Sequence, residues 1–402
     1  MHNKQDFPAL INSDVAYLDS ASSTQKPAVV IERMSHVMSA GYANIHRGLY
    51  KWSQDLTLAY EATRKNLANF INAYSENEII FTSNATESVN LVAQSWGRAN
   101  LCQGDEVIIS AMEHHANIVP WQLLRDQIGI VLKIIPVMDD GTLDLNEFKA
   151  LLSAKTKMVS IVHISNATGV VNDIETVIKT AKSYNKDIKI LIDASQSIVH
   201  RPIDVHQIGC DFMVFTGHKM YGPTGVGVLW AHEDILNSMP PYKGGGDMID
   251  VVRFDETTYK KAPARFEAGT PAIAEVIGLG QAIDFIQAIG FDTIQSHERE
   301  MTRYLKSCLD AINGLEILGA GNDNCEHAGI YSFNLTGIHT SDVAMVLDQM
   351  NVAVRTGHHC CMPLMQRFNV EGTIRASIGL YTSKNDIDKL GQALIKAQEM
   401  LL

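Results

Sequence analysis

The sequence predicts an α/β protein with a large domain built on a mostly parallel sheet and a smaller α+β domain at the carboxyl end. Two observations lead to this prediction. Between residues 78 and 230, short apolar runs alternate with longer segments of helical period. The chain is also long enough for more than one core, because 402 residues at roughly 150 per domain suggest two or three domains.

The large domain is predicted from buried strands that are separated by helices. Each short apolar run is typical of a strand that is covered on both faces. These runs lie at 78–82, 106–110, 131–137, 158–164, 188–192, 212–215 and 225–230. Helical periods fill several of the gaps, at 86–100, 146–154 and 174–184. In such a fold, ligands are expected at the carboxyl ends of the strands.

The second part of the chain follows a passage rich in Gly and Pro. We expect residues 240–263 to form an irregular loop region before the domain change. Two long helices are then predicted at 273–289 and 296–312, and short strands and helices alternate to the end of the chain. The predicted division is an amino-terminal segment packing near the small domain, a large domain and a small domain, at 1–18, 19–267 and 268–402.

Composition excludes several classes of protein. Hydrophobic residues make up 46% of the chain and charged residues 19%, which excludes a disordered protein. Lys and Arg total 33 against 45 Asp and Glu, and the net charge of −12 argues against a broad nucleic-acid or anionic-membrane surface. The sequence shows no secretory signal and no apolar run of membrane-spanning length, and its six cysteines are too few for a disulfide scaffold. We therefore expect a soluble cytoplasmic protein with mostly reduced thiols.

Asp193 and Lys219 are the first candidates for chemistry. Each follows an apolar strand, so both side chains should emerge at the carboxyl edge of the sheet. A desolvated lysine can form a Schiff base with an aldehyde, and an aspartate beside a pyridine nitrogen keeps that ring cationic. Taken singly, Asp193 has a turn cap and Lys219 an exposed lysine as the ordinary alternative. Together they favour a pyridoxal phosphate site.

Four motifs then resemble a known family. The segments D-x-x-Q at 193–196 and TGHKMYGPTG at 216–225 resemble the class V aminotransferases, which are pyridoxal phosphate enzymes of fold type I. The segments MEHHANIVPW at 112–121 and RTGHHC at 355–360 resemble the cysteine desulfurase branch, and within it the SufS-type, group II enzymes. The resemblance runs from about Phe7 to the carboxyl terminus, with the motifs in the family's order. It implies a pyridoxal phosphate-dependent transferase fold.

The resemblance implies roles for residues around the cofactor ring. Lys219 corresponds to the Schiff-base lysine, and Asp193 to the partner of the pyridine nitrogen. Gln196 corresponds to the residue that bonds the phenolate oxygen. His114 corresponds to a catalytic histidine stacked on the ring, and Asn166 to a residue beside both cofactor and substrate. A satisfied strand end or turn remains the alternative for each polar residue.

The cofactor phosphate is expected near the start of the helix at 86–100. Backbone N–H groups at a helix start attract an anion, and Thr86 fits that role. The resemblance adds Thr216 and His218 as side-chain donors, and Thr270 as a contact to the phosphate site of a partner subunit. Ala85 stands where the family often has a second hydroxyl residue, which leaves backbone binding available. An ordinary helix cap is compatible with the same residues.

Cys360 is the residue that separates sulfur chemistry from ordinary transamination. The resemblance assigns it as the nucleophile that attacks the sulfur of the bound substrate and becomes a persulfide. A cysteine nucleophile acts as its thiolate and needs solvent access, and His358 and His359 are close enough in sequence to assist. The adjacent Cys361 departs from many relatives. Either it is a passive small side chain, which we favour, or it transfers or traps sulfur.

Substrate binding is expected to depend on arginine. Arg375 matches the family's carboxylate-binding arginine, since a guanidinium holds a carboxylate through two parallel hydrogen bonds. Arg355 is expected to assist near the cysteine loop, with a structural salt bridge as its alternative. His46 resembles a residue that lines the active-site entrance. With Thr270, it implies a homodimer.

The resemblance implies a cysteine desulfurase that converts L-cysteine to L-alanine, leaves a persulfide on Cys360 and uses pyridoxal phosphate. Its sulfur would pass to an acceptor protein of SufE or SufU type for iron–sulfur cluster assembly. A selenocysteine lyase or another class V reaction is the alternative within the enzyme class. A zinc-binding protein is a remote alternative from 114–115 and 358–361, because zinc uses His and Cys ligands. The spacing of these residues matches no standard zinc site, and no metal is expected.

Overall fold

The computed structural model describes residues 4–319 and 325–402. Residues 1–3 of the predicted amino-terminal segment and 320–324 of the predicted small domain lie outside the described residues. The strands, in chain order, are β1 (Ala16–Tyr17), β2 (Ile79–Thr82), β3 (Glu106–Ser110), β4 (Val131–Ile135), β5 (Thr156–Val162), β6 (Lys189–Asp193), β7 (Phe212–Thr216), β8 (Gly227–Ala231), β9 (Ile249–Val252), β10 (Thr257–Tyr259), β11 (Leu315–Ile317), β12 (Ile330–Leu335), β13 (Val352–Ala353), β14 (Arg355–Gly357) and β15 (Thr373–Ser377).

Helices lie between most of these strands. They are α1 (Ala28–Ser39), α2 (Lys51–Phe70), α3 (Ala85–Leu91), α4 (Arg98–Asn100), α5 (Val119–Ile128), α6 (Leu145–Leu151), α7 (Ile174–Tyr184), α8 (Ser197–His200), α9 (Val205–Ile208), α10 (Glu233–Ser238), α11 (Ile273–Ile289), α12 (Phe291–Asp310), α13 (Thr340–Gln349), α14 (Met362–Arg367) and α15 (Lys384–Leu401). A π-helical stretch, Val92–Gly97, joins α3 to α4, so the helix predicted at 86–100 is continuous.

Seven strands form the large sheet, in the order β2-β8-β7-β6-β5-β3-β4. Strand β8 pairs antiparallel with both of its neighbours, whereas the pairs from β7 to β4 are parallel. The prediction of a mostly parallel sheet within an α/β fold is therefore confirmed. The parallel arrangement brings the carboxyl ends of β5, β6 and β7 to one edge.

Both faces of the large sheet are covered, which explains its uninterrupted apolar runs. Successive side chains of β3 point to opposite faces, so Ile108 joins one hydrophobic cluster while Val107 and Ile109 join the other. Helix α11 belongs to the first cluster and packs on α1 and α2. Every residue of β3, β7 and β8 is buried.

A second sheet, β11-β12-β15-β14, is antiparallel and packs against α12, α13 and α15 over a third hydrophobic cluster. Helix α15 begins with a capping box in which Ser383 and Asp386 satisfy each other's backbone N–H groups. Strand β1 pairs with β13, and Phe7 packs on Tyr381 with ring centroids 4.9 Å apart. The amino-terminal segment therefore touches the carboxyl-terminal part of the chain.

The predicted division at residue 267 stays a proposal. Because α11 shares its core with the large sheet, the packing favours a boundary near Gly290, between α11 and α12. The expectation that 240–263 is wholly irregular is wrong, since β9 and β10 form an antiparallel hairpin there. Its β-branched residues favour extended backbone despite the nearby glycines. In the described part of the chain, no single helix is long and apolar enough to cross a membrane, and α11 with α12 passes that test only as a pair bent by 78°.

Candidate active site

A cavity of about 180 Å³ lies at the carboxyl edge of the large sheet. All of the predicted site residues except His46 and Thr270 line it. The large-sheet part of the chain contributes Thr86, His114, Asn166, Asp193, Gln196, Thr216, His218 and Lys219, and the small-sheet part contributes Arg355, Cys360 and Arg375. The fold therefore brings together residues from both halves of the chain.

Asp193 and Lys219 enter the cavity from neighbouring strands. Asp193 ends β6, and Lys219 lies in the single helical turn that follows β7. The Asp193 carboxylate is buried, and its Oδ1 accepts the backbone N–H of Ser195 at 2.9 Å. Burial lowers the pKa of Lys219 below its usual value, and Asp193 opposes that shift. A lysine that deprotonates more easily is a better nucleophile toward an aldehyde.

Two elements form a cradle for an anion. Thr86 lies in the first turn of α3, and Asn84 caps that helix. The Thr216 Oγ1 atom is buried and has no hydrogen-bond partner within the described residues. Gly227 of β8 pairs with Thr216, and a Cβ at this position would lie 2.3 Å from the carbonyl carbon of Asn84. The missing side chain lets the helix start approach β8, next to Thr216.

Three polar side chains complete the large-domain wall. Burial and the nearby Lys219 lower the pKa of His114 to about 3 and that of His218 to about 4. His114 Nδ1 accepts the N–H of Ala116 at 3.0 Å, so the neutral ring carries its proton on Nε2. A neutral imidazole can stack on an aromatic ring without repelling a cationic pyridine. Gln196 is buried and donates one N–H to the carbonyl of Ala21 at 2.9 Å, which leaves its second N–H for a ligand.

Arg375 is a buried cation held from three sides. Its guanidinium donates to the carbonyl of Asn166 at 2.8 Å, to Oγ of Ser22 at 2.6 Å and to Oδ1 of Asp19 at 3.1 Å. Its buried Nε has no partner among residues 4–319 and 325–402. Burial lowers the pKa of Arg375, which Asp19 opposes. Arg355 lies directly opposite Arg375 across β14 and β15 and is exposed, so two cations face the same region.

The Cys360 loop has an unusual backbone. His359 and Cys360 have φ values of 49° and 58°, in the left-handed region that non-glycine residues rarely adopt. The turn is held by His115, whose N–H donates to the carbonyl of Cys360 at 2.7 Å, and by the Nδ1 of His358, which accepts the N–H of Cys360 at 3.0 Å. Cys360 is partly exposed. Strained backbone held in this way is typical of functional sites.

Cys361 has the opposite environment to its neighbour. It is fully buried, and its thiol donates to Oδ1 of Asn166 at 3.1 Å. Burial raises the pKa of Cys361 to about 12, so the thiol stays protonated at neutral pH. Asn166 also donates to the carbonyl of His359 at 2.8 Å. These contacts favour a passive, packed Cys361, and Asn166 ties the Cys360 loop to the large sheet.

His46 and Thr270 lie outside this cavity. His46 bonds Glu61 at 2.9 Å and lines a separate pocket. Thr270 lines a third pocket, together with Lys243 and Glu87. Their predicted roles toward a partner subunit stay predictions.

Sequence reasoning missed several residues that hold the site. Asp19 and Ser22, far from Arg375 in the chain, orient its guanidinium. Glu113, directly before His114, is fully buried, and burial raises its pKa to about 8. The side chains of Ser110 and Asn117 donate to Glu113, at 2.5 and 2.7 Å. The polar run after β1 could have been read as a strand end, but nothing local predicts its contact with β15.

The side chains and the helix start that line the cavity fit pyridoxal phosphate. The orphan Thr216 hydroxyl and the start of α3 suit the phosphate, and Lys219 suits the aldehyde. Asp193 suits a protonated pyridine nitrogen, and His114 suits the face of the ring. Arg375, with its unpartnered Nε, suits a substrate carboxylate.

Comparisons with known proteins agree with this chemistry. The family model described as "Aminotransferase class-V" matches residues 16–390. A probable cysteine desulfurase of Synechocystis is 46% identical over 396 residues, covering 97% of this chain and 94% of the relative. The cysteine desulfurase of Cronobacter sakazakii is 44% identical over 403 residues, with 99% and 98% covered.

Two solved cysteine desulfurase structures also match nearly the whole chain. The cysteine desulfurase CsdA of Escherichia coli, in an S-sulfonic acid form, superposes with a TM-score of 0.92 at 36% identity, covering 99% of this chain and 98% of that one. An apo cysteine desulfurase of Thermococcus onnurineus gives a TM-score of 0.93 at 36% identity with the same coverage.

Proposed function

Because the chain belongs to the aminotransferase class-V family and is a cysteine desulfurase that depends on pyridoxal phosphate, we propose that it transfers the sulfur of L-cysteine to Cys360, which then carries a persulfide. The observation that carries this proposal is the meeting of Lys219 from the large-sheet part of the chain with Arg375 and Cys360 from the small-sheet part, since all three line one cavity. An amine, a carboxylate receptor and an accessible thiol are the groups that this reaction needs. L-alanine leaves as the second product.

The cofactor is held by the residues that the cavity supplies. Thr86, Thr216 and His218 would bind its phosphate, Gln196 would bond its phenolate oxygen and Asp193 would pair with its pyridine nitrogen. When bound, pyridoxal phosphate supplies an electron-withdrawing ring that stabilises negative charge on the substrate Cα.

Three residues of the chain then act on the substrate. Arg375 binds the carboxylate through its planar fork, helped by Arg355 across the strand pair. Lys219 Nζ removes the Cα proton, because its lowered pKa leaves a larger fraction of neutral amine. The Cys360 thiolate attacks the substrate sulfur, so that an S–S bond forms while the C–S bond breaks. The carbon is reduced to the methyl group of alanine, and the two sulfurs are oxidised to a persulfide.

The experiment is to add L-cysteine to the purified holoenzyme and to measure alanine together with the mass of the Cys360 peptide. We expect alanine and one added sulfur, which peptide fragmentation assigns to Cys360. The Cys360→Ser variant should keep the cofactor and lose the persulfide, whereas the matched control Cys361→Ser should keep both. A persulfide on Cys361 with normal turnover in Cys360→Ser would contradict the assignment.

A homodimer is the second part of the proposal. It is supported by the position of Thr270 outside its own chain's cavity. Mixed dimers of Lys219→Ala with Thr270→Ala chains test it, because each parent dimer carries the same defect in both sites. If Thr270 serves the partner, one site of the mixed dimer is intact and activity returns to about half of the wild type. No recovery would place Thr270 elsewhere.

Sulfur transfer to an acceptor of SufE or SufU type, for iron–sulfur cluster assembly, remains part of the proposal, as does a cytoplasmic location. Cys360 is partly exposed, which gives an acceptor thiol access to the persulfide. Selenocysteine remains an alternative substrate. If Cys360→Ala loses sulfur release but keeps selenium release, the thiol is specific to sulfur chemistry.

A further inference from the structure

A cluster of metal-binding groups lies beside the cavity. His115, His358 and Cys360 each offer one ligand atom, and these atoms all lie within 4.8 Å of one another. His115 and His358 do not line the cavity itself, whereas Cys360 does. The cluster therefore shares only its cysteine with the active site.

The three residues are held together by backbone hydrogen bonds. His115 N–H donates to the Cys360 carbonyl at 2.7 Å, and its Nε2 accepts the N–H of Met362 at 3.1 Å. The Cys360 N–H donates to His358 Nδ1 at 3.0 Å, and the two imidazole centroids are 5.5 Å apart. The fold thus brings His115 next to a loop, distant in sequence, that already carries His358 and Cys360. Because a neutral imidazole has a single acceptor nitrogen, zinc binding breaks the two hydrogen bonds that these rings accept from backbone N–H groups.

Two imidazoles and one thiolate match the preferences of Zn²⁺. Zinc bonds nitrogen at about 2.0–2.1 Å and sulfur at about 2.3 Å, which puts tetrahedral ligand atoms about 3.4–3.6 Å apart. The ligand atoms lie within 4.8 Å of one another, so the three side chains have to draw closer around a bound ion. Three protein ligands leave a fourth position for water or for the thiol of the substrate.

We propose that His115, His358 and Cys360 bind one Zn²⁺ ion and that the bound metal reversibly blocks sulfur transfer. The blocking part rests on the proposed function, because it requires Cys360 to be the sulfur acceptor. On binding, a Zn–S bond forms and the thiol proton passes to solvent, with no change of oxidation state. The sulfur lone pair that would attack the substrate is then engaged by the metal.

Binding is tested first, without L-cysteine. Metal-free holoenzyme is titrated with Zn²⁺ against a chromophoric chelator, and with Co²⁺, whose tetrahedral bands fall at longer wavelength than the cofactor absorption. We expect one ion per chain and at least about a tenfold loss of affinity in His115→Gln, His358→Gln and Cys360→Ser, since even outer-shell changes cost about 10–100-fold. The control His36→Gln removes an exposed histidine on α1 and should bind normally. Affinity unchanged in His115→Gln and His358→Gln, or no binding at micromolar zinc, would overturn the proposal.

Thiol protection separates this inference from the proposed function. Zn²⁺ should slow alkylation of Cys360 at least about tenfold, while the exposed Cys102 reacts at an unchanged rate in the same molecule. A chelator should restore both alkylation and persulfide formation. Equal alkylation of Cys360 with and without zinc would reject the metal site. If zinc binds and protects as expected but the zinc-free enzyme forms no persulfide on Cys360, the proposed function fails and the metal site stands.

Discussion

Replacing Arg375 with lysine tests the substrate-binding assignment most directly. The change keeps the positive charge but removes the planar fork, so one of two parallel hydrogen bonds to the substrate carboxylate is lost. Arg375 is only 2% exposed, so water cannot replace the missing donor efficiently.

The expected magnitude follows from the bonds that the guanidinium can make. A hydrogen bond to a charged group contributes about 1.5–3 kcal/mol. At about 1.36 kcal/mol per factor of ten, its loss lowers kcat/KM for L-cysteine by about 10- to 150-fold. The exposed Arg355 provides the matched control, and Arg355→Lys should lower kcat/KM less because solvent screens its contact.

The assay is the initial rate of alanine formation over a range of L-cysteine concentrations. Cofactor absorption and thermal unfolding are recorded in parallel, because Arg375 also holds Asp19, Ser22 and the Asn166 carbonyl. The loss of these structural contacts would lower the melting temperature. It would not account for the full fall in kcat/KM measured on protein that is still folded. A folded Arg375→Lys holoenzyme with kcat/KM within about threefold of the wild type would refute the reasoning, since one charged bond is worth more.

Three further predictions concern Thr216 and Gly227 of the cofactor cradle and the buried His163. Thr216→Val should weaken the binding of pyridoxal phosphate by about tenfold, because one hydrogen bond to the phosphate is lost. The stability of the apoprotein should be nearly unchanged, because the hydroxyl has no partner in the described part of the chain. Fluorescence titration and melting of the apoprotein check this, and an unchanged affinity would count against Thr216 as a phosphate ligand. Gly227→Ala should destabilise the protein by more than about 1 kcal/mol and weaken cofactor binding, because the added Cβ would clash with the backbone of Asn84. Urea unfolding measures the change, and Gly244→Ala is the control because its Cβ would enter open space. Burial lowers the pKa of His163 to about 3 in the folded protein, whereas in the unfolded chain this side chain takes up a proton near pH 6.5. The free energy of unfolding therefore falls by up to about 1.4 kcal/mol per pH unit as the pH drops from about 6.5 toward 3. His163→Gln should flatten that slope in chemical unfolding at several pH values, and an identical slope would contradict the assignment.

Much of the fold could be predicted because it depends on local pattern. Buried parallel strands require continuous apolar runs, and all seven runs occur as strands of the large sheet. The positions of Asp193 and Lys219 also followed from local sequence, because each comes directly after a strand whose carboxyl end lies at the ligand edge. The hairpin within 240–263 was missed because its β-branched residues were outweighed by glycine and proline signals.

The sequence by itself therefore determined the sheet, the strand-end acid and lysine, and, through the ordered motifs, the family. Only the tertiary structure decided how Asp19 and Ser22 orient Arg375, why Cys361 is buried while Cys360 is accessible, and how His115 reaches the cysteine loop. The physical reason is the range of the interactions. Strand and helix patterns are set by neighbours along the chain, whereas these contacts join segments that meet only after both sheets have packed.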